Sequence, residues 1–131
     1  MASVGLAIYD ILSNDAGVSA LVSDRIYPMV APQDAADPLI VWSVVSRIPS
    51  DTKGSYGDLD TLRIEFNSYA ITYPIVESID DAIRTALDRI AHGAYATVTL
   101  DGVSYENSME SFDEELRLFN ITTDYFFRVK Y

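Results

Sequence analysis

Residues 72–93 constrain the fold most, because the apolar side chains in this segment recur every three or four positions. That spacing places them on one stripe of an α-helix and leaves the charged side chains on the opposite side. Pro74 suits the first turn of such a helix, and Gly93 suits the position just after its end. The pattern predicts a central amphipathic helix over residues 73–91, with a sheet laid against its stripe. The stripe consists of Ile75, Val76, Ile79, Ala82, Ile83, Ala86, Leu87 and Ile90.

The segments on both sides of this helix show the alternation of apolar and polar residues that is typical of β-strands. It predicts strands over 26–30, 39–48, 59–69, 95–100 and 103–107, and a last strand from 116 onward. Asp101-Gly102 predicts a tight hairpin turn, and the phase of Leu116 and Leu118 predicts a β-bulge near Leu118. An N-terminal helix and a shorter helix capped by Asp15 precede the strands. We therefore predict one α+β domain over residues 1–131, with a mostly antiparallel β-sheet packed against the central helix.

The strand over 39–48 is apolar on both faces at its start. Ile40, Trp42 and Val44 lie on one face. Leu39, Val41 and Val45 lie on the other. A strand of this kind is covered on both sides, either within the subunit core or partly in an interface.

The charge of the chain is strongly one-sided. Its 131 residues include 20 acidic and 9 basic side chains, which gives a net charge of −11. Such a surface repels nucleic acid and anionic membranes, so we expect neither to be bound. No cysteine is present, which removes disulfides, thiolate zinc sites and cysteine nucleophiles. The N-terminal residues lack a basic region and a long apolar run, so we expect no signal peptide and no transmembrane segment.

No residue cluster indicates a chemistry. The single histidine, His92, falls at the end of the predicted central helix, where a cation is favoured by the helix dipole. The glycine-rich residues 54–57 are followed by no lysine and no helix, as a phosphate loop would require. Asp51, Asp58 and Asp60 do not match the spacing of a calcium loop. We therefore predict no catalytic residue, no cofactor and no metal site.

Two polar segments remain open to interpretation. Residues 49–58 contain two glycines and predict a mobile polar loop rather than a tight turn. Residues 106–115 contain five acids and no base. This acidic tract is either a solubilising loop or a surface that stays near DNA without holding it, and the sequence favours neither interpretation.

Three motifs together carry a resemblance to a known family. They are D-A-G-V-S-A-L-V-S-D-R-I-Y-P at 15–28, P-L-I-V-W-S-V-V-S at 38–46, and F-N-S-Y-A at 66–70 before the central helix. This arrangement resembles the tail completion, or tail terminator, proteins of long-tailed bacteriophages and prophages. That family has no catalytic residues to carry over. Arg25, Ile26, Tyr27 and Pro28 match its motif, and the resemblance implies that their role is structural.

The resemblance implies a subunit of a hexameric ring in the tail-neck of the virion, assembled in the host cytoplasm. Such a ring caps the tail tube, meets the head-side connector and lets DNA pass without specific binding. We expect a loop that docks on the tube or another partner, and acidic residues that face the lumen. The docking residues are Lys53, Gly54, Ser55, Tyr56, Gly57 and Asp58, and the acidic residues are Glu110, Asp113, Glu114 and Glu115.

Two alternatives stay open. One is another neck or connector protein of the virion, which would dock on head-side proteins instead of the tube. The other is a small α+β enzyme or ligand-binding module that uses carboxylates in a crevice between sheet and helix. This last alternative predicts a deep pocket holding an acid with a strongly raised pKa.

Overall fold

The computed structural model describes residues 4–52, 55–88, 90, 93–95 and 98–130. Three helices and six strands follow one another in the described chain. In order they are α1 Val4–Ser13, α2 Ala16–Val22, β1 Ile26–Pro28, β2 Leu39–Thr52, β3 Ser55–Ala70, α3 Tyr73–Asp88, β4 Gly93–Tyr95, β5 Val98–Asp113 and β6 Leu118–Lys130.

The described strands form one sheet in the order β1-β2-β3-β6-β5-β4. β1 runs parallel to β2, and the other four neighbouring pairs are antiparallel. The α+β class is therefore confirmed, with a mixed sheet in which antiparallel pairs predominate. β1 is an edge strand, as Pro28 indicated, because proline has no backbone N–H to donate to a neighbouring strand.

The helices cover one face of this sheet, which we call the helix face. Helix α3 buries Val76, Ile79, Ile83, Ala86 and Leu87. The predicted stripe is therefore confirmed at five of its eight positions, and Ile75, Ala82 and Ile90 are partly buried against the core. Below it lie Leu62, Ile64, Phe66, Tyr125 and Phe127, each at most 1% exposed. Burying a large apolar side chain contributes about 1.5–3 kcal/mol. This contact between α3 and the centre of the sheet therefore accounts for much of the core.

The ends of the helices follow local signals, with one correction. The side chain of Asp15 accepts a hydrogen bond from the Val18 backbone N–H at 3.1 Å, so the predicted cap of α2 is confirmed. Helix α3 ends at Asp88, earlier than predicted. Gly93 does not follow its end but begins β4, where it pairs with Leu100. No helix in the described parts of the chain is long and apolar enough to span a membrane.

The predicted loop over 49–58 is wrong in its described part. β2 continues to Thr52, β3 begins at Ser55, and these two residues face each other across the ladder. A register shift lies between Pro49 and Asp51, and an irregularity of this kind lets a strand continue past proline. The two strands therefore form a long hairpin arm. Lys53 and Gly54 lie outside the described residues.

Two predictions of local geometry are also wrong. Asp101 and Gly102 lie within β5, where a register shift between Leu100 and Gly102 marks a bulge instead of a turn. The strand continues because β6 pairs with it as far as Asp113. No bulge occurs at Leu118, since β6 and β3 pair in unbroken register from Phe119 to Lys130. The phase change instead reflects the turn before β6, where Arg117 has a φ of 57°.

The two faces of β2 are covered unequally. Ile40 and Trp42 are buried beneath the helices, and Leu39 is buried on the opposite face. Val45 lies beside a register shift and is 53% exposed. The strand is therefore covered on both faces only near its start, because the described helices pack on one side of the sheet.

Candidate assembly surfaces

The sheet face opposite the helices, which we call the open face, carries an ordered polar network. Thr122 on β6 donates a hydrogen bond to the Asn67 side-chain oxygen at 2.6 Å. Asn67 in turn donates to Glu65 at 2.9 Å. Ser111 on β5 donates to Asn120 at 3.0 Å. Connected polar side chains of this kind restrict one another's rotamers, so three neighbouring strands present a fixed polar surface.

An ion pair lies in the same face. The Arg63 guanidinium donates from Nε and Nη2 to one oxygen of Asp124, at 3.1 and 2.6 Å. This hydrogen bond, followed by the charge of Asp124, raises the pKa of Arg63. Asp124 is only 8% exposed, and its second oxygen has no hydrogen-bond partner within the described chain. A buried carboxylate of this kind depends on its arginine.

The helix face carries a second polar cluster, between α3 and the strands β5 and β6. Thr123 donates a hydrogen bond to Asp80 at 2.6 Å, and Tyr73 donates to Glu110 at 2.7 Å. Burial is the main cause that raises the pKa of Asp80. The hydrogen bond to Glu110 is the main cause that raises the pKa of Tyr73 to about 12. Both tyrosine and aspartate are therefore held in their protonated forms more strongly than in water.

The enzyme alternative predicted a deep pocket that holds an acid with a strongly raised pKa. Asp80 does not line the three open cavities that flank the helices and the sheet in the described part of the chain. Among the described residues, no group of three or more histidine, cysteine, aspartate or glutamate side chains is placed to hold a metal ion. The side chains of Asp80, Glu110 and Asp124 contact a threonine, a tyrosine and an arginine, respectively.

The predicted acidic residues lie on different sides of the sheet. Glu110 is opposite Ile121 and contacts Tyr73, so it belongs to the helix face. Asp113 is opposite Leu118, and its side chain accepts a hydrogen bond from the Leu116 backbone N–H at 3.0 Å. Glu114 and Glu115 are exposed in the turn between β5 and β6. Three of the four acids therefore cluster at this turn, and Glu110 lies apart from them.

The other predicted residues fall in two regions. The backbone of residues 55–58 belongs to β3, at the end of the hairpin arm. The motif residues Arg25 to Pro28 instead attach β1 to β2. The Arg25 side chain donates to the Pro38 carbonyl at 2.8 Å, and its own carbonyl accepts from Ile40 N–H at 3.0 Å. Ile26 is buried in the core, and Tyr27 and Pro28 pair with Val41 and Trp42.

Sequence reasoning did not find an apolar groove at one end of the open face. The groove has a volume of about 420 Å³ and is lined mainly by residues of the β1–β2 connection, together with Leu116 of the β5–β6 turn and residues of β2, β3 and β6. Exposed apolar residues surround it, including Met29, Val30 and Leu116. Leu116 is far from Met29 and Val30 in the chain, so only the fold brings it close to them.

Comparison with known proteins assigns the chain to a protein family. Residues 6–130 match the family described as Tail completion protein gp17, which is a family of structural proteins of the virion. The match covers nearly the whole chain. The protein therefore belongs to the tail completion protein gp17 family, and a structural role in a phage-type tail follows from that membership.

The fold also matches a solved structure. A chain in the virion of a native gene transfer agent particle superposes with a TM-score of 0.72 at 20% sequence identity. The alignment covers 95% of this chain and 92% of that chain. At this identity the likeness shows a shared fold. No curated protein sequence matches the chain.

Proposed function

We propose that this protein is a tail terminator, which assembles into a ring that caps the tail tube and joins it to the head-side connector. The family match over residues 6–130 carries this proposal. The ring is hexameric and acts by stacking, without a chemical reaction. The fold of the gene transfer agent virion chain supports the proposal, because it shows that the same architecture is used inside a particle.

The charge of the chain supports passage of DNA through the ring. A net charge of −11 disfavours adhesion of a polyanion to the subunit. The ring presents Glu110, Asp113, Glu114 and Glu115 to its lumen, and the three acids near the β5–β6 turn line one opening. DNA therefore passes without specific binding.

The hairpin arm serves as the docking element. β2 and β3 extend together to Thr52 and Ser55, beyond the part of the sheet that the helices cover. Residues 53–58 contact the tail tube protein or the head-side connector. In the virion this places the protein in the tail-neck, after assembly in the host cytoplasm.

Electron microscopy of the purified protein mixed with its tail tube protein tests this function. We expect rings at one end of tubes of limited length, whereas tube protein alone forms tubes without a defined end. Co-purification separates the proposal from another neck protein. A chain that binds head-side proteins and ignores the tube would show that it is a connector.

A further inference from the structure

The sheet has two outer edges that are only partly occupied. β1 pairs with β2 as far as Trp42, and no described strand lies along the outer side of β2 at residues 43–49. Among the described residues, β4 pairs with β5 at Val98–Leu100, and no described strand lies along the outer side of β5 at residues 102–112. We call these two stretches the β2 edge and the β5 edge. An open strand edge is a template for pairing with another chain.

Apolar side chains accompany both edges. Val45 and Ile48 on the β2 edge are 53% and 60% exposed. Met109 on the β5 edge is 66% exposed, and Tyr105 and Phe112 are also exposed. Register shifts lie beside both edges, between Val44 and Ser46 and between Tyr105 and Asn107. Bulges of this kind bend a strand and disfavour its pairing with flat, unrelated strands. A strand that pairs with either edge must therefore have a complementary bend.

We propose that the β2 edge of one copy pairs with the β5 edge of the next copy, so that the ring closes by continuation of the sheet. This inference rests on the proposed ring and names the joint between its subunits. The direction of the strands supports it. β2 is antiparallel to β3, β3 to β6, and β6 to β5, so β2 and β5 run in opposite directions.

If the axis of the ring runs along the strands, rotation about this axis leaves the direction of each strand the same in every copy. β2 of one copy therefore meets β5 of the next in the antiparallel sense, which is the commoner and slightly more stable pairing. The joint uses two different surfaces of the subunit. An interface of this heterologous type generates a closed ring when the rotation closes, whereas a joint between identical edges stops at a dimer.

Charge selects this joint over pairing of two β5 edges. Glu106, Glu110 and Asp113 lie between residues 102 and 113 of β5, with no basic residue among them. Residues 39–49 of β2 include Arg47 and no acid. Two β5 edges would bring carboxylates against carboxylates, which is destabilising across a strand pair. The β2 edge brings no carboxylate to the joint.

Charge variants of Val45 test the joint. Val45→Glu adds a carboxylate to the β2 edge, and Val45→Lys is the matched control with the opposite charge. In the mixture with tail tube protein, we expect Val45→Glu to raise the concentration needed for ring assembly by about fivefold. Val45→Lys keeps the value of the unmodified protein or lowers it. Circular dichroism and thermal unfolding of both variants confirm that the subunits fold equally well.

Single-cysteine variants locate the contact, because the chain has no cysteine of its own. Val45→Cys is mixed with Ser104→Cys, Asn107→Cys or Met109→Cys in separate samples and oxidised. The proposed joint gives a disulfide dimer in at least one mixture, and little dimer when any variant is oxidised alone. Dimers of Val45→Cys alone would instead indicate that two β2 edges pair.

The outcomes separate the joint from the proposed function. Rings that form with no cross-link in any mixture, and with equal effects of Val45→Glu and Val45→Lys, overturn the joint and leave the tail terminator in place. A chain that remains monomeric, alone and with the tube protein, overturns both.

Discussion

Arg63 on β3 and Asp124 on β6 form an ion pair across the centre of the open face, with an Nη2–Oδ2 distance of 2.6 Å. The two residues are 61 positions apart in the chain. Neither belongs to a helix or a turn, and no local pattern links them. Their contact ties the strand before the central helix to the last strand, and Asp124 is nearly inaccessible to water.

Replacing Arg63 with methionine should destabilise the fold by much more than replacing an exposed arginine of the same sheet. The substitution leaves the buried carboxylate of Asp124 without a donor, and the loss of one partner costs more than the loss of both. Thermal unfolding of Arg63→Met and of the control Arg128→Met measures the difference. The double variant Arg63→Met with Asp124→Leu should recover part of the loss. Equal melting temperatures for Arg63→Met and Arg128→Met would show that the ion pair is dispensable.

The environment of Asp80 predicts a pH dependence of stability. Burial raises the pKa of Asp80 above its ordinary value of 3.8, so the folded state binds this proton more tightly than the unfolded state. Stability therefore falls as pH rises from the unfolded pKa through the folded pKa. Asp80→Asn removes this loss and should be more stable than the unmodified protein at neutral pH. The advantage should shrink in acid, where Asp80 is protonated.

Urea unfolding at several pH values measures this advantage. Asp34→Asn, in the exposed β1–β2 connection, removes the same charge from a solvated position and is the control. If Asp80→Asn were less stable than the unmodified protein at neutral pH, the charged carboxylate would be stabilising through its bond from Thr123.

Shortening a side chain beneath the central helix should destabilise the protein strongly. Ile83 is fully buried in the core, and Ile→Ala in a packed interior costs about 2–5 kcal/mol. Chemical denaturation of Ile83→Ala should give a loss in that range. Thr85→Ala, on the exposed side of the same helix, should change the free energy of unfolding by less than about 0.5 kcal/mol. Similar losses for both would mean that α3 packs weakly on the sheet.

Local patterns predicted the helices well and the strand connections poorly. The stripe that includes Val76, Ile79 and Ile83 and the Asp15 cap depend on residues within a few positions, so the sequence contains the whole signal. Asp101-Gly102 has the composition of a turn, yet the chain continues through it because β6 offers a partner as far as Asp113. Pairing between distant strands overrides turn propensity there.

The same limit applies to the candidate surfaces. The sequence showed that Val45 and Ile48 are apolar, and it showed the acidity of residues 106–115. It did not show that these stretches lie along opposite edges of one sheet, because strand order depends on topology. The hairpin arm was missed for a related reason: polar and glycine-rich residues form a strand when a neighbouring strand pairs with them.

The acidic turn between β5 and β6 can be used to test the proposal that DNA passes through the ring without binding to it. Replacing Glu114 and Glu115 with lysine reverses the charge at a proposed opening of the ring, and both side chains are exposed. Assembled rings of this variant should bind double-stranded DNA at low salt and release it as salt increases, because each neutralised phosphate releases counterions. The unmodified ring should bind none. Filter binding over a range of salt concentrations measures both.

The matched control changes charge by the same amount elsewhere. Asp10→Lys with Asp24→Lys adds the same four positive units at exposed positions of the N-terminal half, outside the groove that the β5–β6 turn helps to line. If the acidic turn lines the lumen, only the Glu114 and Glu115 variant should block DNA release from reconstituted particles while still capping the tube. Equal inhibition by both variants would show that the effect follows net charge, and that the turn does not face the DNA.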